Sequence, residues 1–227
     1  MHIHTKSALT KLPFFARLSP HVRACLVGKS VMRSHPQGSI ISLQGDENPT
    51  LKVVVDGWVK LFRLSSGGTE TTLAMLDHGH SFDEVPALKK GAAIASAEAI
   101  SNCTVLHLDL RAICTCKNAF AELHMAVLAA ASGHARDMIG QIEQLKAKTG
   151  AQRLSDYLVE LSDTKGGENE MTLPYGKKVL AGKLGMKPES LSRAFRQLKP
   201  FGVHSHEGNI RLGDLRGLRA FSQECTV

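Results

Sequence analysis

The segment from Lys177 to Arg196 carries the residue pattern of two short helices that cross at a tight turn. A tight crossing needs a small residue on the first helix and a turn residue that accepts left-handed backbone, and Ala181 and Gly185 occupy these positions. Pro188 suits the first turn of the second helix. This pattern predicts a helix-turn-helix. The apolar residues that would bury the pair are Leu180, Leu184, Met186, Leu191 and Ala194.

The outward face of the second predicted helix carries side chains that are typical of DNA reading. Glu189, Ser192 and Arg193 share one face of its N-terminal half, where recognition helices approach base edges. Arginine binds guanine bidentately and glutamate accepts from cytosine, so these three are predicted to read bases. Glu189 is the only acidic residue between residues 176 and 199, which favours this interpretation over a merely solvated face. The predicted contacts to the DNA backbone are Lys177, Lys178, Lys187, Ser190, Arg196 and Lys199.

The residues around this motif predict the rest of a C-terminal DNA-binding domain. Residues 151–162 have the pattern of an amphipathic helix, and residues 165–170 are interpreted as a loop. Residues 202–212 predict strand, turn and strand, with the turn at residues 207–209, and this hairpin would be the wing of a winged helix-turn-helix. Asp214 is predicted to cap a last short helix.

Residues 120–149 contain no proline and are predicted to form one long helix with a heptad seam. Small or apolar residues recur at alternating spacings of three and four, as in helices that pair in parallel. A helix that packs only on its own domain usually shows a wider apolar stripe, so dimerisation is favoured over that alternative. Gly150 is interpreted as the end of this helix. The seam residues are Ala121, His124, Leu128, Ala131, Ala135, Met138, Ile142, Leu145 and Thr149.

The N-terminal part predicts an antiparallel sandwich or barrel-like roll that follows a short helix. Ser19 is predicted to cap that helix and Pro20 to occupy its first position. Short β-branched runs at 40–41, 51–56, 59–64 and 71–76 alternate with turn residues. The predicted fold class is therefore α+β. Its predicted parts are a β-roll sensor domain (1–118), a dimerisation helix (119–149) and a winged helix-turn-helix domain (150–227).

Net charge, cysteine count and missing motifs limit the kinds of partner and activity that we expect. The net charge of +7 favours a polyanionic partner, and no apolar run is long enough to span a bilayer. The N-terminus lacks the apolar core of a secretory signal, and five cysteines, an odd number, favour thiols over a disulfide framework. We therefore expect a cytoplasmic protein with no membrane partner. Since the sequence contains no P-loop and no Gly-x-Ser-x-Gly or His-Glu-x-x-His motif, we do not expect an enzyme.

At this point the chain resembles the CRP/FNR family of bacterial transcription regulators over nearly its whole length. The run Glu189-Ser190-Leu191-Ser192-Arg193 resembles the FNR-type recognition signature Glu-x-x-Ser-Arg. The resemblance implies a cyclic-nucleotide-binding-like β-roll, a homodimer, double-stranded DNA and RNA polymerase as partners, and half-sites resembling TTGAT in an inverted repeat. Within the family, the chain most resembles the DNR/NnrR-type regulators of denitrification. That likeness implies control by nitric oxide or redox state through haem.

Three sequence features that the chain lacks limit the kinds of effector that we expect it to bind. Cys25 stands alone near the N-terminus, so an FNR-type iron–sulfur cluster is not expected. No arginine lies between Arg63 and Arg111, so nothing would clamp the phosphate of cyclic AMP, and cyclic AMP is rejected as the ligand. No four-ligand zinc pattern emerges from the pairs His78/His80, His204/His206 and Cys114/Cys116, and no metal site is predicted. The candidate haem ligands are His21, His107 and His124. The alternative is a regulator without haem that responds to another small molecule, to thiol oxidation or to its own abundance.

Overall fold

The computed structural model of the chain describes residues 9–47, 50–110 and 117–223. Its contacts divide the chain into two compact units, Met1–Arg136 and Asp137–Val227. Within the described ranges, no helix combines the length and the apolar character needed to cross a bilayer. The helices are α1 (Pro20–Gly28), α2 (Glu84–Lys89), α3 (Lys117–Ala147), α4 (Gly150–Thr164), α5 (Lys177–Lys183), α6 (Pro188–Gln197) and α7 (Leu215–Gln223).

The first unit contains the antiparallel β-roll that the sequence predicts. One sheet has the strand order β1-β8-β3-β6 and the other has the order β2-β7-β4-β5, with every neighbouring pair antiparallel. The four predicted strand runs coincide with β2 to β5, and Gly67 and Gly68 lie in the turn between β4 and β5. The strands are β1 (Val31–His35), β2 (Ile40–Ser42), β3 (Thr50–Asp56), β4 (Val59–Leu64), β5 (Glu70–Leu76), β6 (Ser81–Phe82), β7 (Ser96–Ala99) and β8 (Cys103–Asp109).

β8 separates two compartments of this unit, because successive side chains of a strand point to opposite faces. Cys103 and Val105 belong to the buried core inside the roll. Leu106 and Leu108 belong to a second core, which the helices share. By this alternation His107 faces the roll interior. Helical residues of the second core include Phe15, Leu26, Ala87, Leu123 and Val127.

The N-terminal helix begins where the sequence predicts, but its first turn is held differently. Ser19 is the N-cap and Pro20 is the first residue of α1, yet the Ser19 side chain makes no capping hydrogen bond. Instead, the Ser19 backbone N–H donates to Glu122 Oε2 of α3 at 2.7 Å. Backbone hydrogen bonding of this kind lowers the pKa of Glu122. The start of α1 is therefore joined directly to the long helix.

Gly57, in the turn between β3 and β4, should not tolerate a side chain. Its φ is +81°, and a Cβ there would come within 2.5 Å of Asn102 O and 2.7 Å of Cys103 Cβ. We expect Gly57→Ala to lower the free energy of unfolding by about 3 kcal/mol, from left-handed strain plus overpacking. Gly68→Ala is the matched control, since Gly68 has a φ of +78° but nothing within 4 Å. Urea unfolding followed by circular dichroism should show the larger loss for Gly57→Ala. Equal losses would mean that the steric clash contributes nothing.

The second unit contains α4 to α7 and a small antiparallel sheet of order β10-β11-β9. Its strands are β9 (Glu170–Thr172), β10 (His204–His206) and β11 (Asn209–Arg211). The predicted wing hairpin is confirmed, with its turn at Glu207 and Gly208, both at positive φ. Asp214 caps the last helix, because its side chain accepts from the Gly217 N–H at 2.8 Å. The interpretation of 165–170 as a loop missed the start of β9, which pairs with β11.

The prediction that Gly150 ends the long helix is wrong. α3 ends at Ala147, and Gly150 is the first residue of α4. The reason is a capping box: Thr149 Oγ1 accepts from the Gln152 N–H at 3.3 Å, and Gln152 Oε1 accepts from the Thr149 N–H at 2.9 Å. A Thr-x-x-Gln box starts a new helix at this point, so only a short link separates α3 from α4.

Candidate nucleic-acid interface

The helix-turn-helix forms as the sequence predicts. α5 and α6 are joined through Gly185, whose φ of +61° is in the left-handed region that glycine accepts without strain. Pro188 is the first residue of α6. Met186 is only half-buried, and its Cε lies near Gly150. The other residues predicted to bury the pair are buried: Leu180, Ala181, Leu184, Leu191 and Ala194.

The three predicted base-reading residues lie together on the exposed face of α6. Glu189 is in the first turn, and Ser192 and Arg193 follow one turn later. Ser192 Oγ donates to Pro188 O at 3.1 Å. Arg193 Nη2 donates to Ser190 Oγ at 3.4 Å, so the half-buried Ser190 helps to orient the guanidinium. The face can therefore present one acceptor and one bidentate donor to base edges.

The predicted backbone contacts surround this face with positive charge. Lys177 lies at one edge, with its Nζ 5.2 Å from the centre of the Phe195 ring, so a cation–π contact limits its motion. The remaining cations are solvated and free to meet phosphates. The exposed cations of this set are Lys177, Lys178, Lys187, Arg196 and Lys199.

The predicted seam on α3 is an exposed apolar stripe. Leu128 is 60% exposed, and Ala135, Met138, Ile142 and Leu145 are also exposed. Ala131 is half-buried. A different face of α3, with Ala119, Leu123, Ala126 and Val127, packs into the core of the first unit. Another face of α3 thus packs on the helix's own domain, and the seam stays exposed in the single chain.

Sequence reasoning missed exposed apolar residues that flank this stripe. Met125 and Ile139 lie directly beside the seam and are also exposed, at 58% and 57%. Each follows a seam position by one residue, which is the flanking position of a heptad. The apolar surface is therefore wider than the strict three-four alternation indicates. A search for apolar residues at flanking heptad positions would have found both.

The candidate haem ligands do not come together. His107 is in the roll interior and 9% exposed, and its Nε2 is buried without a hydrogen-bond partner. His21, on α1, and His124, on α3, are exposed, and the Nδ1 of His124 bonds with Phe120 O at 2.6 Å. These two helices pack against the opposite face of β8. Of the three candidates, only His107 can act from inside the roll.

A fourth histidine, which sequence reasoning missed, lies beside His107. The ring centres of His35 and His107 are 6.0 Å apart, and the Nε2 of His35 is also buried without a partner. Burial, then the charges of Lys52 and Arg33, lowers the pKa of His107 to about 4. Burial and the same two cations also lower the pKa of His35. Both imidazoles are therefore neutral at pH 7, with nitrogen lone pairs available to a ligand.

The other histidine and cysteine pairs are placed differently. His78 and His80 lie in a turn and not on a strand; His78 Nδ1 contacts Val55 O, and His80 Nδ1 contacts Asp77. His204 and His206 are both exposed on β10 in the wing. Among the described residues, no group of three or more histidine, cysteine, aspartate or glutamate side chains could hold a metal ion. Residues 114 and 116, the paired cysteines, lie outside the described residues.

Both buried lysines of the roll are neutralised by carboxylates. Lys52 is 1% exposed, and its Nζ lies 2.7 Å from Asp83 Oδ2. Lys60 Nζ lies 2.9 Å from Glu70 Oε1 and 2.6 Å from Glu98 Oε2, and these carboxylates help to raise the pKa of Lys60 against its burial. A buried ammonium that already has a carboxylate partner has little capacity left for a phosphate.

Two family models match the chain. The cyclic nucleotide-binding domain matches residues 32–116, and the Crp-like helix-turn-helix domain matches residues 152–221. A solved structure from Silicibacter pomeroyi DSS-3, described as a candidate cAMP-binding regulatory protein, is 37% identical with a TM-score of 0.66. The match covers 98% of this chain and all of that one. FixK2 of Bradyrhizobium japonicum is 22% identical over 87% of this chain and 99% of that one, with a TM-score of 0.70, and shows the shared fold.

Two relatives of known function also match. The nitrogen fixation regulation protein FixK of Rhizobium meliloti is 26% identical over 177 residues, which are 78% of this chain and 79% of that protein. The cyclic AMP receptor protein of Thermus thermophilus is 38% identical over 96 residues, 42% of this chain and only 44% of that protein. The same family is indicated by the two-domain architecture, by the helix-turn-helix geometry and by a full-length relative above 30% identity. The chain is a member of the CRP/FNR family of dimeric, DNA-binding transcription regulators.

Proposed function

We propose that this regulator recognises an FNR-like inverted repeat with TTGAT-type half-sites. The observation that carries the proposal is the joint exposure of Glu189, Ser192 and Arg193 on one face of α6. Arg193 would take the guanine, Glu189 would accept from a base of the opposite strand, and Ser192 would support the contact. RNA polymerase is the proposed protein partner at the promoter.

Fluorescence anisotropy with the purified protein tests this assignment. Binding should be tighter by about 1000-fold for the TTGAT inverted repeat than for a scrambled duplex of the same length at fixed salt. Equal affinity for the two duplexes would exclude this recognition sequence, whatever the fold.

We further propose that the effector site is the interior of the β-roll, with control by nitric oxide or redox state through haem. His107 fits such a group, since its Nε2 is buried, unpartnered and neutral at pH 7. His35, whose ring centre lies 6.0 Å from that of His107, would assist it. Haem, when bound, would supply an iron that takes up nitric oxide. His107 would ligate that iron, while the exposed His21 and His124 would not.

Cyclic AMP does not fit this interior. Residues 64–110 contain no arginine, and the roll's buried lysines are already paired with carboxylates. The cyclic phosphate would therefore meet no buried lysine that lacks a carboxylate partner. Binding of cyclic AMP by relatives of this fold thus does not extend to this chain in our proposal.

The effector proposal predicts a specific spectrum. Protein reconstituted anaerobically with haem should show a Soret band that shifts with nitric oxide, and His107→Ala should change that band because the buried ligand is lost. His124→Ala is the matched control and should leave the spectrum as in the unsubstituted protein. A spectrum that His107→Ala leaves unchanged would exclude His107 as the ligand, and calorimetric binding of cyclic AMP would overturn the rejection of that nucleotide. If no haem spectrum forms, the proposed alternative is control by another small molecule, by thiol oxidation or by the abundance of the regulator.

A further inference from the structure

Arg153, on the first turns of α4, bonds to the ends of two other segments. Its Nε donates to Leu184 O at 3.0 Å, and its Nη1 donates to Lys148 O at 2.7 Å. Leu184 is the C-cap of α5, and Lys148 directly follows the last residue of α3. Carbonyl groups at helix C-termini lack intrahelical partners and carry partial negative charge. One guanidinium therefore satisfies the end of the dimer helix and the end of the first helix of the DNA-reading motif.

Apolar contacts reinforce this junction. A Cβ at Gly185 would lie 2.6 Å from Leu145 Cδ2, so the seam residue Leu145 rests directly on the turn between α5 and α6. A Cβ at Gly150 would lie 3.4 Å from Met186 Cε, so the turn also touches the first residue of α4. The turn that aims the recognition helix is thus in contact with the last heptad of the dimer helix.

We infer that Arg153 is a positioning residue, which fixes the recognition helix relative to the end of the dimer helix. The Arg153 side chain is half-buried, and this partial loss of water lowers its pKa. Hydrogen bonds from a charged donor are stronger than those between neutral groups. The planar guanidinium of arginine can hold two acceptors in fixed directions, whereas the ammonium group of lysine cannot. In a dimer, this junction occurs twice, so it determines the separation and the angle of the two recognition helices.

The prediction concerns geometry rather than contact, since Arg153 itself is not proposed to touch DNA. Arg153→Ala should weaken binding to the inverted repeat by roughly tenfold or more, while affinity for a single half-site stays within about twofold. The preference for one spacing should also relax. Inserting one base pair, about 3.4 Å, between the half-sites should weaken binding by the unsubstituted protein much more than binding by Arg153→Ala.

The DNA-binding test of Arg153 rests on the proposed recognition sequence. Amide hydrogen exchange needs no DNA, so it tests the role of Arg153 independently of that sequence. The amides of Gly185 and Met186, which donate to Gly182 O and Ala181 O, should exchange with solvent faster in Arg153→Ala. Arg153→Lys, which keeps the charge but not the fork, should change exchange and spacing in the same direction, and it carries the test if the alanine variant does not fold. Arg219→Ala is the control, because Arg219 pairs with Asp163 away from the junction.

The outcomes are distinct. Faster exchange at the turn together with relaxed spacing supports the inference. Unchanged exchange, or an equal loss of affinity for half-site and repeat, overturns it. If the unsubstituted protein does not bind the TTGAT repeat, the proposed recognition sequence fails, while the exchange measurement still decides the role of Arg153.

Discussion

Replacing Leu128 and Ile142 together by aspartate should convert the dimer into monomers and abolish operator binding. Both side chains lie on the exposed apolar stripe of α3, at 60% and 51% exposure in the single chain. Pairing would bury four carboxylates without partners, at a cost of several kcal/mol for each charge. A monomer meets only one half-site, so operator affinity should fall on the order of 1000-fold, to the non-specific level. Sedimentation equilibrium and anisotropy with the same samples measure both effects.

A single-site comparison gives the matched control. Ile142→Asp should weaken the dimer strongly, whereas Gln144→Asp, two positions away on the exposed side of α3 outside the seam, should leave it intact. Both changes add one negative charge to the same helix turn, so general charge effects on DNA binding are equal. An unchanged dimer in the double variant, or equal effects of the two single changes, would exclude the seam as the interface.

Arg193→Ala should remove discrimination at one base of each half-site. A bidentate arginine–guanine contact is worth about 1–3 kcal/mol, so a repeat with two such contacts loses about 2–6 kcal/mol. The loss should disappear when that guanine is replaced in the DNA, because the variant no longer distinguishes it. Titrations of both proteins against the repeat and against guanine-replaced copies measure this coupling.

Lys178→Ala is the comparison for a backbone contact. Lys178 is exposed at the start of α5, outside the base-reading face. Its loss should weaken binding to all sequences about equally and reduce the slope of log affinity against log salt by about 1 per half-site. If Arg193→Ala behaved in this same way, Arg193 would be a phosphate contact, and the assigned orientation of α6 on DNA would be wrong.

The parts of the fold that depend on local chemistry could be predicted from the sequence. Gly185 is required by its φ and Pro188 by its place in the first turn, so the helix-turn-helix was visible in twenty residues. β9 was missed because its pairing with β11 joins residues far apart in the sequence. Gly150 was misinterpreted because glycine signals helix ends, whereas the Thr149–Gln152 capping box outweighs it here.

The candidate sites also contain residues that could be predicted from local sequence and residues that could not. The face shared by Glu189, Ser192 and Arg193 follows from helix periodicity alone. His35 was not predicted, because its approach to His107 depends on the packing of β1 against β8 and on side-chain reach, which strand periodicity does not give. Periodicity likewise could not tell which face of β8 the helices cover, and this places the helices that carry His21 and His124 on the face opposite His107.

The two buried faces of β8 have a mechanical consequence. A strand enclosed on both sides cannot shift in one compartment alone, since close-packed interiors leave little free volume. If the proposed effector moved His107 from inside the roll, Leu106 and Leu108 would also have to move, and these two residues share a core with Leu123 of α3. Only the backbone of β8 would then separate the proposed effector site from the core that α3 shares. With the effector site proposed above, volume changes at Leu106 or Leu108 would alter the size of the response, while the effector and the recognised DNA sequence would stay the same.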